Sequence, residues 1–137
     1  MVPAFLLVED DPDDALLLRR ALLQFPRPVA LNLATDVPEA YQRLALAPRP
    51  FLVLTDVNLP RGTGWDVLRR SDAPVLVWTS LPTLEGAERA RALGACRYFG
   101  KPRNLAGYMA VASLIHGCLG DGRFPGLLSS RIAPSSQ

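Results

Sequence analysis

The sequence predicts an α/β fold in which helices cover both faces of a parallel sheet. Five short apolar runs recur along the chain, and each is followed by a turn signal and then by a segment with helical character. Strands and helices that alternate in this way form parallel sheets, because each helix returns the chain to the same edge of the sheet. The runs are AFLLVED (4–10), VALNLAT (29–35), FLVLTD (51–56), PVLVWTS (74–80) and CRYFGK (96–101).

The apolar content of each run predicts its place in the sheet. The first, third and fourth runs are nearly continuous in apolar residues, which favours central strands that are buried on both faces. The second run contains the polar residues Asn32 and Thr35, so we expect it at an edge.

Capping signals predict where the first two helices begin. Asp11 followed by Pro12 is typical of an N-cap with proline at the first helical position. Asp36, with Glu39 three residues later, resembles a capping box and predicts a second helix that the proline-rich segment 48–50 stops.

Glycine and asparagine bound the later helices. A short third helix is predicted in GWDVLRRS (64–71). A fourth helix over roughly 82–93 ends at Gly94, which tolerates the left-handed conformation that follows many helices. Asn104 is placed to cap a last helix that runs to about residue 117 or 120.

Composition indicates one compact domain. The chain has 137 residues, of which 49% are apolar, and this is enough to build one core without disulfides or metal. We therefore expect a domain over residues 1–120 and a flexible tail over 121–137, where Gly, Ser and Pro are frequent. Cys96 and Cys118 fit neither a redox pair nor a disulfide framework, so we expect reduced core residues.

Charge and the first residues argue against several classes of protein. The net charge is +2 and the basic residues are scattered, which does not favour a nucleic-acid surface. The opening MVPAFLLVEDD matches neither a signal peptide nor a membrane span, so a cytoplasmic protein is expected. Fourteen of the fifteen basic residues are Arg, and the one lysine, Lys101, is a candidate for a site that needs a compact ammonium.

Polar residues of specific types stand at the ends of the predicted strands. In an open parallel sheet, sites form outside the carboxyl ends of the strands, at the point where the strand order reverses. We therefore expect these residues to meet at one edge of the sheet. They are Glu9 and Asp10 after the first strand, Asp56 after the third, Thr79 and Ser80 after the fourth, and Lys101, followed by Pro102, after the fifth.

Three neighbouring carboxylates favour a bound cation. Glu9, Asp10 and Asp56 would repel one another unless a cation lay among them. Mg2+ suits such a site, because it prefers oxygen ligands and typically takes one or two protein carboxylates together with phosphate oxygens. The backbone carbonyl of Asn58 is a candidate for a further metal ligand.

The same residues favour chemistry on a phosphoryl group. An aspartate can act as a nucleophile and form an acyl phosphate, which makes Asp56 the candidate phosphoacceptor. The Thr79 hydroxyl and the Lys101 ammonium are candidates to bind phosphoryl oxygens and stabilise their charge.

Four motifs resemble, in order and spacing, those of the response-regulator receiver (CheY-like) family of bacterial two-component signalling. They are LLVEDDPDDA, LTDVNLPRGTGWDVL, VLVWTS and GACRYFGKP, and the resemblance covers roughly residues 4–119. It implies a (βα)5 flavodoxin-like fold, with a doubly wound, five-stranded parallel sheet of order 2-1-3-4-5. It also implies these roles: Glu9, Asp10, Asp56 and the Asn58 carbonyl as metal ligands; Asp56 as the phosphoacceptor, with Thr79 and Lys101 as the other catalytic residues; Thr79 and Tyr98 as switch residues; and Gly64 as the glycine of the loop after the third strand.

Within that family, VEDDPDDALLL and DVNLPRGTG resemble the stand-alone receivers that partner phytochrome-type sensor kinases. The chain departs from the family pattern in three ways. Glu9 replaces the commoner Asp, Gly100 replaces a bulky apolar residue before Lys101, and the third helix is short.

Several residues of reactive types have simpler interpretations. Asp11, Asp13 and Asp14 are expected to be helix-start charges, which the positive end of the helix dipole favours. Trp78 is expected to be a packing residue. His116, the only histidine, is expected on the surface of the last helix, because no second metal ligand accompanies it.

Other functions share parts of this pattern. Haloacid-dehalogenase-type phosphatases also use a strand-end Asp nucleophile, but they need a second Asp as general acid where this chain has Asn58. A flavodoxin-like FMN carrier needs a phosphate loop after the first strand, and the segment EDDPDD would repel that phosphate. A receiver-like module that binds partners without being phosphorylated is the alternative.

The predicted function is that of a single-domain response regulator. In the presence of Mg2+, Asp56 accepts a phosphoryl group from a sensor histidine kinase or from a small donor such as acetyl phosphate. No catalysis is expected beyond its own phosphorylation and dephosphorylation. Thr79 is then expected to move toward the phosphoryl group and Tyr98 to turn inward, which shifts the face formed by the fourth helix, the fifth strand and the last helix.

Output is expected through protein contacts on that face. The last helix, NLAGYMAVASLIHGCL, is apolar nearly all round, which predicts a homodimer or partner interface there. About 17 residues follow it, too few for a helix-turn-helix unit, so DNA is not an expected partner, and no membrane partner is expected either.

Overall fold

The fold is the predicted α/β arrangement, built on a five-stranded parallel sheet. A computed structural model describes residues 2–119 of the chain. The strands of the sheet are β1 (Ala4–Val8), β2 (Ala30–Ala34), β3 (Val53–Asp56), β4 (Val75–Thr79) and β5 (Arg97–Gly100). They lie in the order β2-β1-β3-β4-β5, and every neighbouring pair is parallel, so the predicted order 2-1-3-4-5 is confirmed.

Five helices cover the two faces of the sheet. One face carries α1 and α5, which pack against each other, and the opposite face carries α2, α3 and α4. Each face has its own apolar core, as expected for a doubly wound sheet. The helices are α1 (Pro12–Leu22), α2 (Val37–Ala45), α3 (Gly64–Arg70), α4 (Leu84–Ala92) and α5 (Leu105–Leu119).

Burial of the strands follows their apolar content. All residues of β3 and β4 are buried, as is β1 after its first residue. In β2, Asn32 is exposed, and the strand order places β2 at an edge of the sheet, so the predicted edge position is confirmed. Parallel strands with helices on both faces need apolar side chains on both sides, whereas an edge strand does not.

The predicted caps are formed. The Asp11 side chain accepts a hydrogen bond from the Asp13 backbone N–H at 2.9 Å, and Pro12 is the first residue of α1. Asp36 accepts from the Glu39 N–H at 2.8 Å, while the Glu39 carboxylate accepts from the Thr35 N–H at 2.8 Å. The bonds to the Asp13 and Glu39 N–H groups satisfy donors that a helix start leaves unpaired, and the bond to Thr35 holds the residue just before the N-cap.

The last two helices end and begin as predicted. Gly94, which follows α4, has a φ of +89°, the left-handed region that glycine enters at little cost. Asn104 accepts a hydrogen bond from the Gly107 N–H at 2.8 Å at the start of α5.

One element was not predicted. Two short strands, Asn58–Leu59 and Gly62–Thr63, pair in an antiparallel hairpin between β3 and α3. The hairpin places Thr63 at the start of α3, where its side chain and that of Asp66 form a capping box. It therefore defines the path of the chain just after Asp56.

Cys96 and Cys118 are free and buried, in agreement with the prediction.

Among the described helices, none combines the length and the apolar character that a membrane span needs. The predicted tail at 121–137 lies outside the described residues.

Candidate functional site

The polar residues of the strand ends meet at one edge of the sheet, as predicted. Asp56 is the last residue of β3 and Thr79 the last of β4, and they are 6% and 4% exposed. Glu9 follows β1 directly and is 1% exposed, and Lys101 follows β5 directly. Four parallel strands therefore deliver charged and hydroxyl groups to one place.

The local backbone holds the Asp56 carboxylate in position. Its Oδ1 accepts hydrogen bonds from the N–H of Val57 at 2.7 Å and of Asn58 at 3.4 Å. Its Oδ2 lies 2.9 Å from the Lys101 ammonium. Gly64 lies against this loop, and a Cβ at that position would collide with the Asp56 backbone carbonyl, so only glycine fits there.

Three carboxylates form a cluster that fits a hard cation. One carboxylate oxygen from each of Glu9, Asp10 and Asp56 lies within 4.8 Å of the others. Asp10 is exposed, whereas Glu9 and Asp56 are buried, so the cluster opens to solvent on the Asp10 side. An all-oxygen donor set with an open side suits a divalent cation that keeps water ligands.

Glu9 is bonded through both of its oxygens. Oε1 accepts from the Trp78 indole N–H at 3.0 Å and lies 3.0 Å from the Lys101 ammonium, and Oε2 accepts from the Asp11 N–H at 3.1 Å. Burial raises the pKa of Glu9 to about 7, and the charge of Asp56 acts in the same direction. The hydrogen bonds from Asp11 and Lys101 oppose this increase.

Lys101 lies at the centre of the charged groups. Its ammonium is 3.0 Å from Glu9, 2.8 Å from Asp14 and 2.9 Å from Asp56, so each of its three N–H bonds has one carboxylate to donate to. Burial by itself would lower the pKa of Lys101, but the hydrogen bonds to the three carboxylates outweigh it and raise the pKa. The lysine therefore remains charged and compensates part of the negative charge.

Thr79 and Tyr98 lie on the other side of Asp56. The Thr79 hydroxyl oxygen accepts from the Leu81 N–H at 3.3 Å. Tyr98 already points inward: it is 3% exposed, and its hydroxyl oxygen accepts from the Thr83 N–H at 3.0 Å. A Cβ at Gly86 would collide with the Tyr98 hydroxyl, so this glycine provides the space that the inward ring occupies.

Asn58 stands at the start of the hairpin, two residues after Asp56. Its side chain is exposed, and its backbone N–H points to the Asp56 carboxylate. Its carbonyl as a metal ligand stays a prediction.

Two residues of the site were assigned simpler roles from the sequence. Trp78 is fully buried, as expected of a packing residue, but its indole N–H also binds Glu9. Asp14, expected to be a helix-start charge, binds Lys101 and also accepts a 3.0 Å hydrogen bond from the Tyr108 hydroxyl. No local signal distinguishes Asp14 from Asp13, because the contact is made by residues that lie 87 and 94 positions away.

His116 lies on α5 and plays no part in this set of contacts. It is partly buried rather than at the surface, because its ring stacks on Phe25 with a centroid distance of 4.5 Å. Burial and the charge of Arg27 lower the pKa of His116.

The solved structures that this chain resembles are response-regulator receiver domains. The phosphorylated cyanobacterial phytochrome response regulator RcpA is 26% identical with a TM-score of 0.77, over 90% of this chain and 97% of that one. The Mn2+-bound form of the response regulator Rcp1 is 27% identical with a TM-score of 0.74, over 84% and 92%. RPA3017, a response regulator in red-light signalling of R. palustris, is 25% identical with a TM-score of 0.74, over 89% and 96%.

Curated sequences agree with this class. The transcriptional regulatory protein PdtaR of Mycobacterium tuberculosis, matched in two strains, is 28% identical over 108 residues, which is 74% of this chain. The chain spans about half the length of this curated relative, 53%. No protein-family model matches the chain. The resemblance to CheY-like receiver domains, and to the phytochrome response regulators among them, is confirmed.

Proposed function

We propose that this chain is a phosphoryl-accepting receiver of a two-component pathway, and that Asp56 is its phosphoacceptor. The observation that carries the proposal is the position of the Asp56 carboxylate. It lies within 4.8 Å of the acidic pair that follows β1 and 2.9 Å from the single lysine of the chain, at the edge of the sheet where such sites form. It is held there by backbone N–H groups of its own loop.

Phosphoryl transfer needs little from the protein besides position and charge. A carboxylate oxygen of Asp56 forms the new O–P bond while the bond from phosphorus to the donor breaks and the donor keeps that electron pair. The donor is a phosphohistidine of a sensor kinase or a small acyl phosphate. The Lys101 ammonium, 2.9 Å from Asp56, neutralises charge on the oxygens of the transferred group.

The carboxylate cluster is the proposed binding site of Mg2+. Asp10, Asp56 and the Asn58 carbonyl would hold the ion directly, and Glu9, whose oxygens are bonded to protein donors, would bind it through water. When bound, the ion supplies positive charge beside the phosphoryl oxygens. The Mn2+-bound form of the similar response regulator Rcp1 supports the binding of a divalent ion.

The proposed output is a shift of the face formed by α4, β5 and α5. The Thr79 hydroxyl would donate to a phosphoryl oxygen in place of its present contact with the β4–α4 loop. The inward position of Tyr98, which binds the Thr83 N–H, would then be favoured and would fix the start of α4. Partners of this face would be other proteins, including a second copy of the chain, and not DNA.

The proposed kinase partner is of the phytochrome type. RcpA and RPA3017, which are named for phytochrome or red-light signalling, support this assignment. No catalysis other than the protein's own phosphorylation and dephosphorylation is proposed.

The test is incorporation of labelled phosphate from a small donor in the presence of Mg2+. We expect the wild type and Asp72→Asn to take up label, and Asp56→Asn to take up none. Asp72 is a matched control because it is an aspartate in an exposed ion pair, with Arg49 at 3.0 Å, outside the site. Equal labelling of all three proteins would show that the phosphoacceptor is a residue other than Asp56.

Absence of labelling in every protein would favour a receiver-like module that binds partners without phosphorylation. Release of free phosphate from a monoester substrate, lost in Asp56→Asn, would instead indicate a phosphatase.

A further inference from the structure

Asp14 is the fourth carboxylate at the phosphoacceptor edge of the sheet. It lies in the first turn of α1 and is 18% exposed. Its Oδ2 is 2.8 Å from the Lys101 ammonium, the shortest of the three ion pairs that this lysine makes. Asp13, its neighbour, is exposed.

The other oxygen of Asp14 is held from α5. Oδ1 accepts a hydrogen bond from the Tyr108 hydroxyl at 3.0 Å. The Tyr108 ring is 4% exposed and packs edge-on against Trp78, with centroids 6.3 Å apart. Asp14 therefore connects α1 and α5 to the end of β5, and both of its oxygens have defined donors.

The three contacts of Lys101 differ in what phosphorylation would do to them. Phosphorylation of Asp56 would replace its free carboxylate with phosphoryl oxygens, so the ammonium would have to change partners there. Asp14 would keep its charge and its two donors, because it takes no part in the transfer. It would therefore hold the ammonium in one place before and after the reaction.

We propose that Asp14 is a positioning residue that, with Tyr108, holds the Lys101 ammonium beside Asp56. Its role in phosphoryl transfer rests on the proposed function, whereas its hold on the lysine does not. Two separate measurements therefore test the proposal.

The first measurement is the exchange of the ammonium protons of Lys101 with water. Lys101 is the only lysine of the chain, so 15Nζ-labelled lysine yields one side-chain NMR signal that needs no assignment. We expect Asp14→Ala to accelerate this exchange by about tenfold, because a charge-assisted hydrogen bond is lost. Asp13→Ala, which removes a neighbouring carboxylate of the same helix turn, should exchange at the wild-type rate.

Tyr108→Phe keeps the ring in the core and removes only the hydroxyl that holds Asp14, so it tests the hold of Asp14 on Lys101 indirectly if Asp14→Ala does not fold. A smaller acceleration is expected. Wild-type exchange in both Asp14→Ala and Tyr108→Phe, or equal acceleration in Asp13→Ala, would overturn the proposal.

The second measurement is the rate at which Asp56 is labelled by a small phosphodonor. We expect Asp14→Ala to slow labelling by about tenfold when Lys101 is present, and to have no further effect in a Lys101→Met background. A purely structural role would slow labelling equally in both backgrounds, and that result would contradict a role through the lysine. If the wild type takes up no label, the proposed function fails, and proton exchange still decides whether Asp14 holds Lys101.

Discussion

The two sides of the Asp56 site differ in how their side chains are held. On one side, the Lys101 ammonium lies within 3.0 Å of three carboxylates and its side chain is 10% exposed. On the other side, a cavity of about 360 Å3 lies next to Thr79 and Tyr98, between the hairpin and the start of α4. The Thr79 hydroxyl there accepts a 3.3 Å hydrogen bond from a loop N–H.

This difference matches two physical requirements. Buried charges are tolerated only when each has a partner in good geometry, so the charged side is densely bonded. A switch, the role proposed for Thr79 and Tyr98, needs two arrangements of similar free energy and space for both, and the cavity beside these residues offers such space. We infer that the lysine side supplies fixed charge and that the Thr79 and Tyr98 side supplies movement.

The largest expected effect is loss of the fixed charge. Lys101→Met leaves Glu9 and Asp56 without their buried cation, so we expect the free energy of unfolding in EDTA to fall by about 3 to 5 kcal/mol. Addition of Mg2+ should recover most of this loss, because the ion then compensates the same carboxylates. Urea unfolding with and without Mg2+ measures both effects.

The control for this prediction is Arg49→Met, which removes the cation of an exposed ion pair and should cost less than about 1 kcal/mol. A Lys101→Met protein as stable as the wild type in EDTA would show that the densely bonded side contributes no net stability.

The next effect is a dependence of stability on pH that originates in Glu9. The pKa of Glu9 is about 7 in the folded protein, whereas the ordinary pKa of a glutamate, which the unfolded chain has, is 4.5. Between these two pH values only the folded state keeps the proton. Raising the pH from 4.5 to 7 should therefore lower the free energy of unfolding without metal, by about 3 kcal/mol at most. The contribution of protonated Glu9 to the free energy of unfolding is complete below pH 4.5 and is lost as the pH rises through 7.

Urea unfolding over this pH range measures the dependence. Glu9→Gln should flatten it, and so should Mg2+, which favours the ionised carboxylate. Glu88→Gln on the exposed face of α4 is the control and should retain the wild-type slope. Equal slopes in the wild type and Glu9→Gln would assign the dependence to other groups.

The smallest expected effect lies on the open side and concerns the space for Tyr98. Gly86→Ala should cost about 1 to 3 kcal/mol of stability, because the added methyl group meets the Tyr98 hydroxyl. Tyr98→Phe in the same chain removes that hydroxyl and should recover part of the loss, because the ring carbon that carried it still lies 2.8 Å from the added Cβ.

Thermal unfolding of the wild type, the two single variants and the double variant provides a double-mutant cycle. Gly117→Ala is the control, since a Cβ there would meet nothing within 4 Å. Additive effects of Gly86→Ala and Tyr98→Phe would mean that the two residues do not compete for one space.

The sequence predicted most of this architecture because its signals are local. An apolar run predicts a buried strand, and Asp11 before Pro12 predicts a helix start, from residues that are adjacent in the chain. Once a parallel sheet is predicted, Glu9, Asp56 and Lys101 fall at one edge, because all parallel strands end on the same side. The hairpin 58–63 was missed, since its strands are only two residues long.

The contacts made by particular side chains could not be predicted in this way. Asp13 and Asp14 are identical in type and adjacent, yet only Asp14 faces Lys101 and Tyr108. Trp78 is of a residue type that is common in protein cores, and its residue type does not predict the bond to Glu9. That bond depends on the relative positions of β1 and β4, which are not neighbours in the sheet.

The sequence by itself determined the strands, the caps, the edge of the sheet that carries the site, and the candidate residues Glu9, Asp10, Asp56, Thr79, Tyr98 and Lys101. All of these except Tyr98, which the resemblance to receiver domains supplied, follow from short-range patterns and from residue types at strand ends. The tertiary structure alone decided which carboxylates share the lysine, that Tyr98 points inward, and that Gly86 provides its space. The reason is that such contacts join residues far apart in the chain, and only the packing of α1 on α5 and of α4 beside β5 brings them within bonding distance.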